Sequence, residues 1–311
     1  MLRPTVIIPT YNRPKELQDC LRSIIDQTVK PYEVIIVDDG DLNELPLEKE
    51  FKDLGIPYLY LKKDRPGLTE SRNVGVSAAS GDIIFFLDDD VVLCPNYIEE
   101  IIKVYEHDKK GVIRGAGGSD TDASPLKFVN RLNYIYDLFF LNSGFNEGKV
   151  LPSGFCTEFG TTEFPIRSIR EVDFLAGGIC SYRKEIFNEF SFTEKYHQFG
   201  DCEDKDFSYQ VSRKYKVVFN PKARLFHYPS PEMRPDKLIS GRKFVIGKYL
   251  FFTTHIKKSW WSWLFFYYAL FGYFLKRVVI MIFSFDRGEI DRVKGILGAV
   301  RDIVTKRISI R

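Results

Sequence analysis

The chain has 311 residues, about twice the length of a typical domain, and 44% of them are hydrophobic and 28% charged. This balance excludes a short peptide scaffold and a disordered, collagen-like or coiled-coil chain, and it predicts a folded protein with a substantial core. Residues 237–311 carry a net charge of +11 and residues 1–236 a net charge of −8, which indicates an acidic catalytic body and a basic tail that meets a polyanion.

The cysteines and the start of the chain indicate the compartment. The five cysteines are odd in number and form no CxxC pair, as in a protein of a reducing compartment without a zinc site. The first apolar run, Thr5 to Ile8, is too short for the core of a signal peptide. We therefore expect the catalytic part to stay in the cytosol.

Short β-branched runs alternate with helical patterns in the first third of the chain. The predicted elements are strands near residues 5–8, 34–37, 58–61 and 82–87 and helices near 17–25 and 70–79. This alternation is typical of βαβ units and predicts an α/β fold with an open, doubly wound, mostly parallel, Rossmann-like sheet. Such sheets bind ligands beyond the carboxyl ends of their strands, here after Ile8, Val37 and Leu87.

The rest of the chain is predicted to contain an insertion and an extension. Residues 119–170 are irregular and rich in Gly, Ser, Thr and aromatic residues, and we expect them to form a lid or an acceptor-facing wall. Regular structure is predicted to return as a strand through Tyr182, a helix near Glu203, and paired strands near 217–219 and 223–227. We predict a catalytic domain over residues 1–235 and, over 236–311, a helical extension for membrane association or oligomerisation.

Two strand ends carry an aromatic ring and a carboxylate. Pro9-Thr10-Tyr11-Asn12 follows the first strand and Asp38-Asp39-Gly40 follows the second. Because neighbouring strand ends face one pocket, the ring could stack on a nucleobase while a carboxylate accepts from its N–H. The alternative is that Asp-Asp-Gly forms a turn without a ligand.

Three consecutive carboxylates, Asp88-Asp89-Asp90, follow the apolar run Phe85-Phe86-Leu87. They would repel one another without a cation, and hard ions such as Mg²⁺ or Mn²⁺ prefer oxygen ligands while retaining positions for phosphates. The motif therefore predicts a site for a metal and a diphosphate, and the alternative is a solvated acidic turn.

Three further features each allow a functional and a structural interpretation. Asp201-Cys202-Glu203-Asp204 opens a predicted helix, where an acid either stabilises the first turn or takes a proton from an attacking hydroxyl. Arg72 either supplies counter-charge for phosphates or base, or pairs with a surface acid. His227 ends a strand and is either a packed residue or a metal ligand.

Together these motifs resemble those of the family 2 inverting glycosyltransferases with the GT-A fold. The resemblance rests on Pro9-Thr10-Tyr11-Asn12-Arg13, Val37-Asp38-Asp39-Gly40, Phe86-Leu87-Asp88-Asp89-Asp90 and Cys202-Glu203-Asp204, in the family's order within residues 4–230. It implies a hexosyltransferase-like enzyme that moves a sugar from a UDP- or GDP-sugar to a hydroxyl or phosphate acceptor with inversion.

The resemblance also implies a role for each candidate residue. Asp204 resembles the catalytic base, and Glu203 would bind the acceptor or orient the site. Asp88-Asp89-Asp90 resembles the DxD motif, with Mn²⁺ or Mg²⁺ held by Asp90, Asp88 and His227. The residues implied in binding the nucleotide-sugar are Pro9, Thr10, Tyr11, Asp38, Asp39, Arg72, Asp88, Asp89, Gly177 and Gly178.

The basic tail is also rich in aromatic residues. Between Phe251 and Phe285 lie 14 of the chain's 47 aromatic residues, including all three Trp, and Lys276-Arg277 interrupts the apolar run. Aromatic residues beside Lys and Arg are typical of a membrane interface, and the net positive charge is attracted to anionic headgroups. We favour monotopic attachment at the cytoplasmic face of a membrane, with a glycan or polyprenyl-linked acceptor. A true span, a homodimer interface and an aromatic second core are the alternatives.

Other functions are compatible with a nucleotide-binding sheet. A sugar-phosphate nucleotidyltransferase would carry a Gly-rich, Arg-containing loop where this chain has Pro9-Thr10-Tyr11-Asn12. A catalytically silent nucleotide-sugar-binding scaffold would bind without turnover, and the presence of Asp204 argues against it. A nucleic-acid partner is not expected, because the tail has too many aromatic and too few polar residues for a groove that follows a phosphate backbone.

Overall fold

The computed structural model describes residues 2–42, 44–121, 128–194, 202–228, 236–284 and 286–305. The chain divides into two compact units. The first unit comprises Met1–Ala123, Ile166–Glu194 and Asp204–Ser230, and the second comprises Ser124–Pro165, Lys195–Glu203 and Pro231–Arg311. The catalytic domain over residues 1–235 and the extension over 236–311 stay predictions.

Nine strands form one sheet in the described part of the first unit. They are β1 (Pro4–Thr10), β2 (Glu33–Asp38), β3 (Tyr58–Lys62), β4 (Ile83–Leu87), β5 (Val91–Leu93), β6 (Ile113–Asp120), β7 (Arg170–Glu171), β8 (Ile179–Arg183) and β9 (Lys216–His227). The helices of the chain are α1 (Pro14–Ile25), α2 (Glu48–Asp53), α3 (Leu68–Ala78), α4 (Tyr97–His107), α5 (Phe128–Phe139), α6 (Glu203–Ser212), α7 (Lys237–Phe251), α8 (Trp260–Ser284) and α9 (Arg287–Val304).

The sheet has the strand order β3-β2-β1-β4-β8-β6-β9-β5, and β7 pairs with β9. Strands β3, β2, β1 and β4 run parallel, as connections through helices require. Strand β8 is antiparallel to β4 and β6, whereas β6 and β9 are parallel. The predicted α/β class with a mostly parallel sheet is confirmed.

The central strands form because their sequences are continuously apolar. All residues of β1 and β4 are buried, as expected for strands covered by other elements on both faces. Helix α1 covers the sheet with the buried residues Leu17, Cys20, Leu21 and Ile24, which recur at helical spacing. Pro14 suits the first position of α1, where a backbone N–H has no partner within the helix.

Two expectations about irregular segments are wrong. The pair of strands near 217–219 and 223–227 is the single strand β9, whose pairing with β6 is interrupted between Gly117 and Ser119 and then resumes. The expected break between the two strands is absent, because the register shift accommodates Asn220-Pro221 within one strand. Residues 119–170 contain helix α5, which is held by tertiary contacts such as the hydrogen bond from Tyr136 Oη to the carbonyl oxygen of Gly272 (2.8 Å).

The second unit has its own core between α7, α8 and α9. Buried residues of this core include Val245, Ile246, Phe266, Ala269, Leu270, Ile296 and Ala299. Helices α7 and α9 approach closely because Gly241 and Gly295 face each other's backbone: a Cβ atom on either glycine would overlap main-chain atoms of the opposite helix. Helix α8 is long and apolar enough to cross a membrane, but 28% of its most apolar window is buried within the protein, and core helices also meet this criterion.

Candidate active site

The candidate site lies at the carboxyl ends of the parallel strands, where the sequence predicted it. Parallel pairing places Thr10 of β1 opposite Asp38 of β2. The Thr10 hydroxyl donates to Asp89 Oδ2 (2.7 Å), so the ends of β1 and β4 are tied together. The Asp39 amide donates to the Thr10 carbonyl oxygen (2.9 Å), which continues the sheet pairing into the following loop.

Asp88, Asp90 and His227 form a cluster of potential metal ligands. One ligand atom from each residue lies within 4.8 Å of the other two. His227 Nε2 is 3.1 Å from Asp90 Oδ1, and this hydrogen bond is the main cause of the raised pKa of His227. Desolvation raises the pKa of Asp88, and the nearby carboxylate of Asp90 raises it further.

The cluster fits a hard divalent cation. Two carboxylate oxygens and one imidazole nitrogen are ligands that Mn²⁺ and Mg²⁺ accept. His227 Nε2 and Asp90 Oδ1 are 3.1 Å apart, and the three ligand atoms lie within 4.8 Å of one another, so one cation could contact all three. The Asp90 carboxylate also contributes to the raised pKa of Asp88, after desolvation, and two carboxylates held this close together favour a shared positive charge.

Arg72 supplies a buried positive charge beside this cluster. Its guanidinium is 3.5 Å from Asp88 Oδ1, and the residue is 2% exposed. The Phe192 ring supports the guanidinium, with 5.4 Å between the guanidinium carbon and the ring centroid. Arg72 therefore pairs with a member of the acidic motif and does not lie on the surface.

Gly177 and Gly178 are glycines because the site leaves no room for a side chain. A Cβ atom on Gly178 would overlap the carboxylate of Asp88, and one on Gly177 would lie 2.7 Å from the Cβ of Asp204. The Gly178 carbonyl accepts from the Asp88 amide (3.1 Å). The loop before β8 thus packs directly against both Asp88, a potential metal ligand, and Asp204, the candidate base.

Asp204 lies in the first turn of α6 with a fixed carboxylate. Its Oδ2 accepts from the Gly177 amide (3.0 Å) and its Oδ1 from the Lys205 amide (2.8 Å). Glu203 is the first residue of α6, and its Oε2 accepts from the Cys202 amide (3.1 Å). Asp201, the first residue of the motif, lies outside the described residues.

The part of the site predicted to bind the nucleobase contains the exposed ring of Tyr11 and the carboxylates of Asp38 and Asp39, which accept hydrogen bonds from loop amides. Tyr11 is 37% exposed next to Pro9 and Thr10, which are buried. Asp38 is buried and accepts from the amides of Gly40 (2.8 Å) and Leu42 (3.1 Å). The Asp38 carboxylate therefore shapes the loop after β2.

Asp39 and Asp89 are held by neighbouring cations. Asp39 accepts from the Gly67 amide (2.7 Å) and lies 3.2 Å from Lys63 Nζ. Asp89 is 3.0 Å from Arg13 Nη1, which also reaches Asp90 Oδ2 at 3.3 Å. Desolvation raises the pKa of Asp89 to about 6 against the opposing contacts of Thr10 and Arg13.

Three neighbours of the site received no role from the sequence. Arg13 was noticed only as part of a motif, although it bridges two aspartates. Lys63, in the loop after β3, is almost buried beside Asp39. Phe192 follows a 3₁₀ turn that was not predicted, and no local pattern connects it with Arg72. Only the folded chain brings these residues to the site.

Comparison with known sequences identifies relatives of the chain. The family model described as Glycosyl transferase family 2 matches residues 5–190. The uncharacterized glycosyltransferase YwdF of Bacillus subtilis (strain 168) is 39% identical over 105 residues, which are 34% of this chain and 39% of that protein. The glucosyl-dolichyl phosphate glucuronosyltransferase of Haloferax volcanii is 28% identical over 117 residues, 37% of each chain. The match spans less than half the length of these curated relatives.

Solved structures resemble this chain over nearly its whole length. The mannosyltransferase PcManGT from Pyrobaculum calidifontis, solved in complex with GDP-Man and Mn²⁺, superposes with a TM-score of 0.58 at 13% identity. The superposition covers 99% of this chain and 88% of that one. At this identity the likeness shows the fold alone, and the predicted GT-A fold is confirmed.

Proposed function

We propose that this chain, which belongs to glycosyl transferase family 2, is a metal-dependent inverting glycosyltransferase. It moves a sugar from a nucleoside-diphosphate sugar, a UDP- or GDP-sugar, to a hydroxyl or phosphate acceptor. Family membership rests on the family model, which matches more than half of the chain. Because the curated relatives are matched over less than half of their length, the reaction, donor and acceptor are our proposal.

One observation carries the proposal: Asp88, Asp90 and His227 converge beside the buried Arg72 at the ligand-binding edge of a doubly wound sheet. Asp88, Asp90 and His227 would hold Mn²⁺ or Mg²⁺, which when bound supplies the Lewis-acid charge that stabilises a departing diphosphate. Arg72 adds a permanent positive charge at the same place, where it pairs with Asp88 and attracts phosphate oxygens.

Asp204 is proposed as the base that takes the proton of the acceptor hydroxyl. Its two oxygens accept from the Gly177 and Lys205 amides, so the carboxylate is oriented before the substrate arrives. Each carboxylate oxygen retains a second lone pair for the acceptor. Attack from the side opposite the leaving diphosphate inverts the anomeric centre, and no covalent sugar intermediate is expected.

The remaining candidate residues are proposed to bind the donor. Tyr11 is exposed enough to stack on the base, next to the backbone of Pro9 and Thr10. The Asp38 and Asp39 carboxylates accept hydrogen bonds from backbone amides of the loops after β2 and β3, and the Asp89 carboxylate accepts one from the Thr10 hydroxyl. The bare backbone of Gly177-Gly178 allows the donor sugar to approach Asp88. Glu203 is proposed to bind the acceptor or to orient the site.

We propose that the acceptor is a glycan or a polyprenyl-linked molecule, used at the cytoplasmic face of a membrane. Support comes from the helical extension over 236–311, with the apolar helix α8 and a net charge of +11 in 237–311. The relative from Haloferax volcanii is named for a dolichyl phosphate substrate, which belongs to the same chemical class. The catalytic domain is proposed to be residues 1–235, with 119–170 facing the acceptor.

The test is the release of nucleoside diphosphate. The full chain is incubated with Mn²⁺ or Mg²⁺, a panel of UDP- and GDP-sugars, and membranes of the source organism. Release that requires one donor, the metal and the membranes together is the expected result. Formation of pyrophosphate would instead identify a nucleotidyltransferase, and donor binding without turnover would identify a silent scaffold. Either outcome would overturn the proposal.

A further inference from the structure

One side of the second unit exposes a large apolar surface. Five exposed apolar residues of α8 recur at intervals of three, four or eight positions, which places them on one side of the helix, and the other four, Trp260, Trp261, Phe265 and Phe283, lie on the same half of it. On α5 the exposed apolar residues recur at intervals of three and four. The α5–α8 face comprises these residues: Leu264, Tyr267, Phe271, Val279 and Ile282 of α8, and Leu132, Ile135 and Phe139 of α5.

The two helices form one continuous surface. Tyr268 Oη donates to the carbonyl oxygen of Phe139 (3.1 Å), and the two rings are 6.2 Å apart between centroids. Phe140 contacts the rings of both Phe139 (5.0 Å) and Phe271 (6.3 Å). Phe139 is 68% exposed and Phe271 is 56% exposed. Exposed apolar patches of this kind mark interaction sites.

Helix α8 is not free to cross a membrane. Its inner side packs on α7 and α9 through Phe266, Ala269, Leu270 and Tyr273, and Tyr273 stacks on Phe244 of α7 at 4.1 Å. Seven of the 18 residues of α9 are charged, so this helix cannot follow α8 into hydrocarbon. A spanning α8 would have to leave the core of its own unit.

The basic pair in the middle of α8 is paired within the same unit. Lys276 Nζ lies 2.8 Å from Asp137 of α5, and Arg277 lies 3.8 Å from Glu289 of α9. These contacts hold Lys276 and Arg277 away from the centre of a bilayer. They also fix α5 and α9 against α8, so that α5 and α8 present their apolar sides together.

The charge distribution favours a lipid surface over a second copy of the chain. Residues 237–311 contain 15 Lys and Arg and only 4 Asp and Glu, so two such extensions repel each other, whereas anionic headgroups attract them. Helix α8 has no acidic residue and is preceded by the exposed Lys257-Lys258. The exposed Trp260 and Trp261 follow after Ser259, in the arrangement typical of a membrane interface.

We propose that the α5–α8 face lies flat on an anionic lipid bilayer, with α8 in the plane of the interface. The surface therefore includes part of the 119–170 segment as well as the C-terminal extension. The inference rests on the proposed function only in taking a membrane as the place of the reaction. Helix α8, about 37 Å long at 1.5 Å per residue, sets the length of the contact.

The first test is flotation of the full chain with vesicles of phosphatidylcholine and phosphatidylglycerol. Phe271→Glu and Phe139→Glu should each lower the partition coefficient about tenfold or more, since each puts a charge in place of an exposed ring that the bilayer would cover. The matched control is Leu54→Glu, an exposed apolar residue of the first unit, which should float as the unchanged protein does. Unchanged flotation of both face variants would overturn the proposal.

The second test separates an in-plane helix from a spanning one. Labels at Leu264→Cys, Phe271→Cys and Ile282→Cys, in a Cys94→Ser background, are quenched by lipids brominated at different depths; the other four cysteines are buried. Equal, shallow depths are expected. A label at position 271 roughly 10 Å deeper than the one at 264 would show a span and overturn the proposal.

Two further measurements distinguish lipid binding by the α5–α8 face from dimerisation and from the proposed transferase activity. Sedimentation of Phe271→Glu without lipid should match that of the unchanged protein; loss of a dimer together with normal flotation would assign the face to a second copy. Donor binding by the face variants should equal that of the unchanged protein. If the unchanged protein floats with vesicles but turns over no donor, the proposed function fails while the surface stands.

Discussion

His227 and Asp90 are 137 positions apart in the sequence, yet Nε2 of the histidine lies 3.1 Å from Oδ1 of the aspartate. Antiparallel pairing of β5 with β9 brings them together, because it places Val91 opposite His227. The Tyr228 amide also donates to the Asp90 carbonyl oxygen (2.9 Å), which fixes the end of β9 on the acidic motif.

Replacement of His227 by alanine should weaken Mn²⁺ binding about 10- to 100-fold, because the cluster loses its nitrogen ligand. Calorimetric titration of the full chain measures this. His107→Ala is the matched control, since His107 lies at the exposed end of α4 and should leave the affinity unchanged. Equal affinities of the His227 variant and the unchanged protein would remove His227 from the ligand set.

Binding of Mn²⁺ should strengthen as the pH rises through the pKa of His227, which the hydrogen bond to Asp90 raises above its usual value of about 6.5. Below that pKa a proton occupies the ligand nitrogen and stabilises the metal-free protein through Asp90; above it this contribution to folding is lost and the nitrogen is open to a cation. Titrations between pH 6 and 8.5 measure the slope. His227→Gln should flatten it, and an unaltered slope would contradict the assignment.

Substitution of Gly178 by alanine should abolish metal-dependent donor binding while the chain still folds. The added methyl group would overlap the Asp88 carboxylate and displace it from Asp90 and His227. Donor affinity with and without Mn²⁺ is the measurement. Gly298→Ala is the control, because a Cβ atom there meets only Arg242 at 3.9 Å and alanine favours a helix. Full donor affinity in Gly178→Ala would exclude the proposal that the donor sugar approaches Asp88 along the bare backbone of Gly178.

Asp204→Asn should lower acceptor-dependent turnover by about 10² to 10⁴ while donor affinity stays within a factor of about three, because an amide cannot act as the base. The amide oxygen can still accept from Gly177, so the loop geometry is retained. Steady-state release of nucleoside diphosphate and equilibrium donor binding are compared. Asp53→Asn, at the end of α2, is the control. Unchanged turnover would eliminate Asp204 as the base.

Arg13→Gln should destabilise the metal-free protein by about 1–3 kcal/mol at pH 7.5, because Arg13 is the cation shared by Asp89 and Asp90. The pKa of Asp89 is about 6, above the usual value of an aspartate. Above pH 6 the buried carboxylate is ionised, which costs folding free energy that Arg13 partly offsets; below pH 6 the carboxyl is protonated and needs Arg13 less. The loss should therefore be smaller at pH 5. Urea unfolding at both pH values tests this, with the exposed pair variant Arg22→Gln as control.

Local patterns were sufficient for the elements that position the site. Continuous apolar runs predicted β1, β2 and β4, because strands covered on both faces are rich in apolar side chains over most of their length. The acidic motif after β4 was placed correctly, since parallel strands end at one edge of the sheet. The same reasoning failed for β9, where two strands were expected near 217–219 and 223–227 and the pairing with β6 shows one continuous strand.

The sequence by itself determined the α/β class, the strand ends that carry Asp38 and Asp88, the helix start that carries Asp204, and the aromatic, basic character of the tail. The family resemblance grouped His227 with Asp90, and the tertiary structure supplied the contact between them. Tertiary structure alone decided that Arg13 lies between two aspartates and that α5 joins α8 in one apolar surface. The physical reason is the range of the interactions. Periodicity and strand-end rules act over a few residues, whereas these contacts join positions more than 70 residues apart, which only the folded chain brings together.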